Sequence, residues 1–98
     1  MYILIPVENE NGMESKITTV PNVKKWALVD FEANEVKFYD DFRETDADFI
    51  EYVILDNKFE NSIDFINEGM MCLMRREEKT VEELLSAFRF KELDEMNF

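Results

Sequence analysis

Few side chains in this chain could do covalent chemistry. There is no histidine, which excludes an imidazole base, a Ser-His or Cys-His nucleophile pair and a histidine metal ligand. A single cysteine, Cys72, cannot build a zinc or iron–sulfur site within one chain. Neither glycine-rich phosphate loop, G-x-x-x-x-G-K-[ST] or G-x-G-x-x-G, occurs. What remains are cations that follow apolar runs. Lys16, Lys24 and Lys25 come after the run 2–7, Lys58 after the run 52–55, and Arg75, Arg76 and Lys79 after the run 70–74. Ser15, Asn22 and Asn57 add neutral donors in the same stretches. Ammonium and guanidinium groups beside strand ends attract anions, and they break no bonds by themselves. The chemistry legible here is binding, so no catalytic residue is assigned and the chain is expected not to be an enzyme.

Cys72 itself lies within an apolar run. A thiol buried there behaves as a small hydrophobe and is inert. The methionines beside it fall on alternating faces of a strand, which reads as core filling rather than a soft-metal site. No metal is expected to be held by this chain alone.

The elements that would position these residues follow from periodicity. Residues 2–7 are almost continuously apolar, as in a strand covered on both faces, and Pro6, lacking a ladder donor, is expected to mark its end. A second strand runs over 26–31, the polar tetrad 32–35 makes a hairpin turn, and 36–39 returns as a third strand. The acidic stretch 40–51 reads as a solvated loop with one helical turn near 47–51, or as a docking segment for a basic partner. A fourth strand occupies 52–55. Asn57 and Glu60 have capping-box spacing, with an apolar helical face at Phe59, Ile63 and Ile66 and a C-terminal stop at Gly69. The fifth strand is 70–74. Thr80 and Glu83 form a second capping box, and Val81, Leu84, Leu85 and Phe88 make one face of a helix that Phe90 and Leu93 are expected to prolong.

Ninety-eight residues make one α/β domain, 1–98, with 46% hydrophobic content and nine Phe to fill a core. Net charge is −12, from 23 acids against 11 bases. Nucleic acid and anionic membrane surfaces are therefore disfavoured partners. The lone cysteine and the absence of a long apolar segment lead to an expected cytoplasmic location.

The pattern resembles the small domain of the nitrogenase iron–molybdenum cofactor biosynthesis accessory proteins. The residues that carry the resemblance are Ile5-Pro6-Val7, Ser15-Lys16-Ile17, Trp26 to Asp30, Val36 to Tyr39, and Thr80-Val81-Glu82-Glu83-Leu84-Leu85 with Lys91-Glu92-Leu93. In place of the family's His-Phe-Gly-Arg signature before the second strand stand Thr19-Val20-Pro21-Asn22. Asp56-Asn57-Lys58 replace its glycine-rich turn after the fourth strand.

The resemblance implies a ribonuclease-H-like α/β fold. Its single five-stranded mixed sheet would run in the order 3-2-1-4-5, with strand 2 antiparallel to strand 1 and helices starting near residues 58 and 81. It also brings the loops 8–16, 56–58 and 75–79 and the connector 19–25 to one rim. That rim carries seven bases against eight acids, a net of −1 that leaves −11 for the rest of the molecule. The candidate ligand residues are Ser15, Lys16, Asn22, Lys24, Lys25, Asn57, Lys58 and Arg75. By resemblance alone, the ligand is an iron–molybdenum-type cluster or another anion, and the partner a metallocluster assembly or target protein. A protein–protein interaction or regulatory domain that has kept only the scaffold is the alternative. Glu8 and Asp56, at the ends of neighbouring strands, define a third and more distant reading as a divalent-metal hydrolase.

Overall fold

The structure, a computed structural model, describes residues 1–96; the last two residues of the expected domain lie outside them. Six strands form one open sheet in the order β3-β2-β1-β4-β5-β6. They are β1 (Tyr2–Val7), β2 (Lys25–Asp30), β3 (Glu35–Tyr39), β4 (Tyr52–Leu55), β5 (Met71–Met74) and β6 (Asp94–Glu95). Helix α1 (Ile63–Asn67) joins β4 to β5, and α2 (Val81–Arg89) joins β5 to β6. β1 pairs antiparallel with β2 and parallel with β4, and β4 pairs parallel with β5.

The apolar character of β1 has a direct cause, because both of its faces are covered. Ile3, Ile5 and Val7 pack with Val29, Ile54 and Leu73 under Val81, Leu84 and Leu85 of α2. The alternate residue Leu4 joins Leu28, Val53, Leu55 and Cys72 on the other face, under Phe65 of α1 and the loop residues Phe42 and Ile50. Trp26, Phe42 and Phe65 form an aromatic triangle there, with centroids 5.0–5.7 Å apart.

Four local expectations are corrected. Pro6 lies within β1, opposite Trp26, and the strand ends one residue later. Odd residues of β1 turn their backbone groups to β2 and even ones toward β4, so the donor Pro6 lacks would have faced β4. The β1–β4 ladder indeed stops at Leu4–Val53. α1 begins at Ile63 rather than near 58. Asn57 Oδ1 accepts from the Phe59 amide in a local turn, and the Glu60 carboxylate accepts from Val20 and Asp56, so the expected capping box does not form. The single turn in the acidic stretch is a 3-10 turn at Phe42–Glu44, not at 47–51.

The sheet has six strands where five were expected. α2 stops at Arg89 because Lys91 adopts φ 58°, with the Glu92 amide donating to the Ala87 carbonyl at 2.8 Å. Leu93 turns back onto the core, and Asp94–Glu95 pair antiparallel with β5.

Candidate functional rim

The C-terminal ends of β1, β4 and β5 lie side by side, which is where an open α/β sheet presents ligands. The connector after the first loop is stitched into this rim by backbone bonds. The Glu8 amide donates to the Lys16 carbonyl, Thr18 to Pro6, Ile17 to Lys79, and Val81 to Ser15, all at 2.9–3.0 Å. Isolated bridges pair Val7 with Ile17 and Lys16 with Thr80. Lys24 is tied to the same end of β1 by its amide, which donates to Val7 at 2.9 Å. Lys16, Lys24 and Lys79 thus surround the ends of β1 and α2, and Lys58 follows the end of β4.

The rim cations divide into two groups. Lys25 lies 2.6 Å from Asp40 and 4.0 Å from Glu10. The hydrogen bond to Asp40, with its charge, holds the Lys25 ammonium above the usual lysine range. Arg75 Nε donates to Asp56 at 2.7 Å, and Arg76 pairs with Asp94 at 2.9 Å. In the Arg76–Asp94 pair the hydrogen bond lowers the carboxyl pKa and raises that of the guanidinium. By contrast Lys16, Lys24, Lys58 and Lys79 are exposed and form no ion pair with a described residue. The Lys58 ammonium stands 5.3 Å from the ring of Phe59.

The neutral candidates are engaged within the chain. Ser15 is fully buried, and its hydroxyl accepts from the Asn11 amide at 2.7 Å. Asn57 uses both side-chain atoms locally, toward Phe59 and Asp56. Asn22 is exposed at the end of the 3-10 turn Val20–Asn22. α2 opens onto the rim, but Thr80 and Glu83 occupy its first turn in a complete capping box. Backbone N–H groups of Lys79 and Thr80 push the Glu83 carboxyl below its usual value.

Sequence reasoning missed Glu60 as an organiser, since its spacing from Asn57 imitates a cap. Its carboxylate bridges the Val20 and Asp56 amides at 2.9 and 3.1 Å, tying the connector to the β4 loop. No signal short of the tertiary pairing would have revealed it. Beside Lys58 and Glu60 opens a cleft of about 420 Å³ that reaches Ile63 and Met74.

Cys72 is buried in the core, and burial pushes its thiol pKa up. Among the described residues no group of three or more Cys, Asp or Glu is arranged to hold a metal ion. The hydrogen-bond donors of the rim are ammonium and amide groups, of the kind that meet oxyanions and thioanions, and they share the rim with the carboxylates of Glu8, Glu14, Glu77 and Glu78.

No protein-family model matches the chain, and no curated protein matches it. Solved structures do. A Thermotoga protein of the DUF35 family, provisionally called NifB, superposes with a TM-score of 0.73 at 20% identity, over 99% of this chain and 95% of that one. The apo form of the orange protein from Desulfovibrio gigas gives 0.74 at 9% identity, over 96% and 91%. The crystal structure of PH0822 gives 0.68 at 16%, over 97% and 96%. This likeness establishes the fold. Among the described residues no helix is long and apolar enough to cross a membrane.

Proposed function

We propose that this chain is a non-enzymatic accessory module that binds an anion at the rim formed by β1, β4, β5 and the connector. The observation that carries the reading is the set of four lysines, Lys16, Lys24, Lys58 and Lys79, left without ion pairs among the described residues on a chain of net charge −12. Four rim acids, Glu8, Glu14, Glu77 and Glu78, likewise form no ion pair with a described residue. The rim is therefore near neutral on a strongly acidic body, and that contrast orients an anionic ligand. Two further facts support it. The sequence resembles the nitrogenase cofactor accessory proteins, whose fold is ribonuclease-H-like. One structural neighbour carries the NifB name and another was solved in an apo form. A thiometallate or oxyanion suits the donor set, held by charge and hydrogen bonds. A cluster ligated by cysteine does not fit, because Cys72 is buried in the core rather than placed among the rim groups.

Equilibrium dialysis with molybdate, tetrathiomolybdate and phosphate tests the reading. Binding should weaken as salt is raised, and it should fall at least tenfold when the four lysines are replaced by Gln. Equal binding by the wild type and the quadruple variant would contradict it.

A second reading is favoured by one observation: Phe59, Ile63 and Ile66 are exposed in succession beside the rim, Phe59 to 85%. Exposed apolar side chains mark protein contacts where they join into one patch, and these three follow one another along the β4–α1 segment. In that case the rim and α1 together form a protein–protein surface.

A further inference from the structure

A second cleft, of about 670 Å³, lies on the α2 face at the opposite end of the sheet from the rim. Its origin is geometric. Six strands make a sheet about 24 Å wide. Because α2 runs along the strands from the rim to Phe31 and Tyr52 at the far end, it is its diameter of about 10 Å that covers the sheet's width. Part of that face is left open where the chain turns at Lys91 toward β6. Phe31, Tyr52, Leu73, Phe88 and Leu93 form the apolar wall. Phe88 stands edge-on to both Phe31 and Tyr52, with centroids 5.2 and 5.0 Å away.

The residues that line the cleft carry more positive than negative charge. Arg89 and Lys91 line it against one acid, Glu95. Neither cation forms an ion pair with a described residue. The Arg89 guanidinium lies 5.2 Å over the Phe31 ring, which steadies it while leaving its in-plane donors free. The negative end of α2 is also muted, since the Ser86, Ala87 and Phe88 carbonyls accept from Phe90, Glu92 and Lys91. A local excess of one positive charge beside an apolar wall calls for a ligand with one negative charge and an apolar body.

We propose that this cleft binds a small amphiphilic carboxylate, with its apolar body against Phe31, Phe88 and Leu93 and its carboxylate between Arg89 and Lys91. The cleft lies within the roughly 300–1,000 Å³ range of small-molecule sites. Arg89 offers a planar fork that matches a carboxylate in two-point geometry. The site is separate from the rim, and neither proposal depends on the other.

Amide NMR titration of the intact chain with phenylacetate and with decanoate, in the millimolar range, is the test. Saturable shifts at residues 31, 52, 73 and 88–93 are expected with at least one acid, and the stronger binder tells an aryl from an alkyl body. The neutral analogue 2-phenylethanol or 1-decanol should bind about tenfold more weakly than the corresponding acid. Arg89→Gln should weaken the acid about tenfold with the amide spectrum retained. Lys91→Asn, which tolerates the left-handed backbone, gives an independent second variant. Absence of saturable shifts with both acids, equal binding of acid and alcohol, or shifts confined to residues 15–25 would overturn the proposal.

Discussion

Arg75 Nε donates to Asp56 Oδ1 at 2.7 Å and closes the rim between the ends of the parallel strands β4 and β5. Both side chains are more than two-thirds buried, and an Arg75 terminal nitrogen also donates to the Glu78 carbonyl. The pair is therefore part of the scaffold. Arg75→Ala should destabilise the chain by about 1–2 kcal/mol, between the values for exposed and buried pairs. In urea unfolding, Asp56→Ala should cost a similar amount, and the double variant clearly less than the sum of the two.

The capping box at the start of α2 gives a stability and a pH prediction. Thr80→Ala should cost about 1 kcal/mol in the same assay. Glu83 and Asp94 have pKa values lowered by folding. Their contribution is therefore complete above the range where unfolded carboxyls ionise, about pH 4, and is lost as pH falls through the lower folded values. Lys25 has the opposite sign, its contribution being lost only as alkaline pH rises through its elevated value. Unfolding curves from pH 7 to 2 should show steepening loss below about pH 4, and Glu83→Gln should flatten that limb.

Two glycines with positive φ separate backbone strain from crowding. Gly69 has φ +86°, and a Cβ there would meet the Phe49 ring at 3.1 Å, while Gly12 has φ +58° and open space around it. Gly69→Ala should cost more than about 1 kcal/mol and more than Gly12→Ala. Equal losses would show that the Phe49 contact carries no cost.

Cys72 should be slow to react with a thiol reagent in the native chain and quick in denaturant, since burial both hides the sulfur and raises its pKa. Rapid native labelling would place the sulfur at the surface.

What was legible in the sequence followed from strong local patterns. The apolar runs 2–7 and 52–55, the polar turn before Val36 and the Thr80–Glu83 spacing each specify an element, and each is present with close bounds. The failures arose where tertiary partners overrode local spacing. Glu60 left a cap position to bind Val20, and α1 shrank to five residues. β6 is two residues long, with no periodicity to read, and exists because β5 offers it an edge. For the rim, the sequence located the cations but not their partners. Only the fold separates Lys25, Arg75 and Arg76, which are ion-paired, from Lys16, Lys24, Lys58 and Lys79.

The most direct test of the proposal that the rim binds an anion is an amide NMR map of the chain titrated with tetrathiomolybdate. Saturable shifts concentrated at residues 15–25, 56–60 and 75–80, abolished when Lys16, Lys24, Lys58 and Lys79 are changed to Gln, are the expected result. Silence at those residues, or shifts that survive the loss of all four lysines, would contradict it.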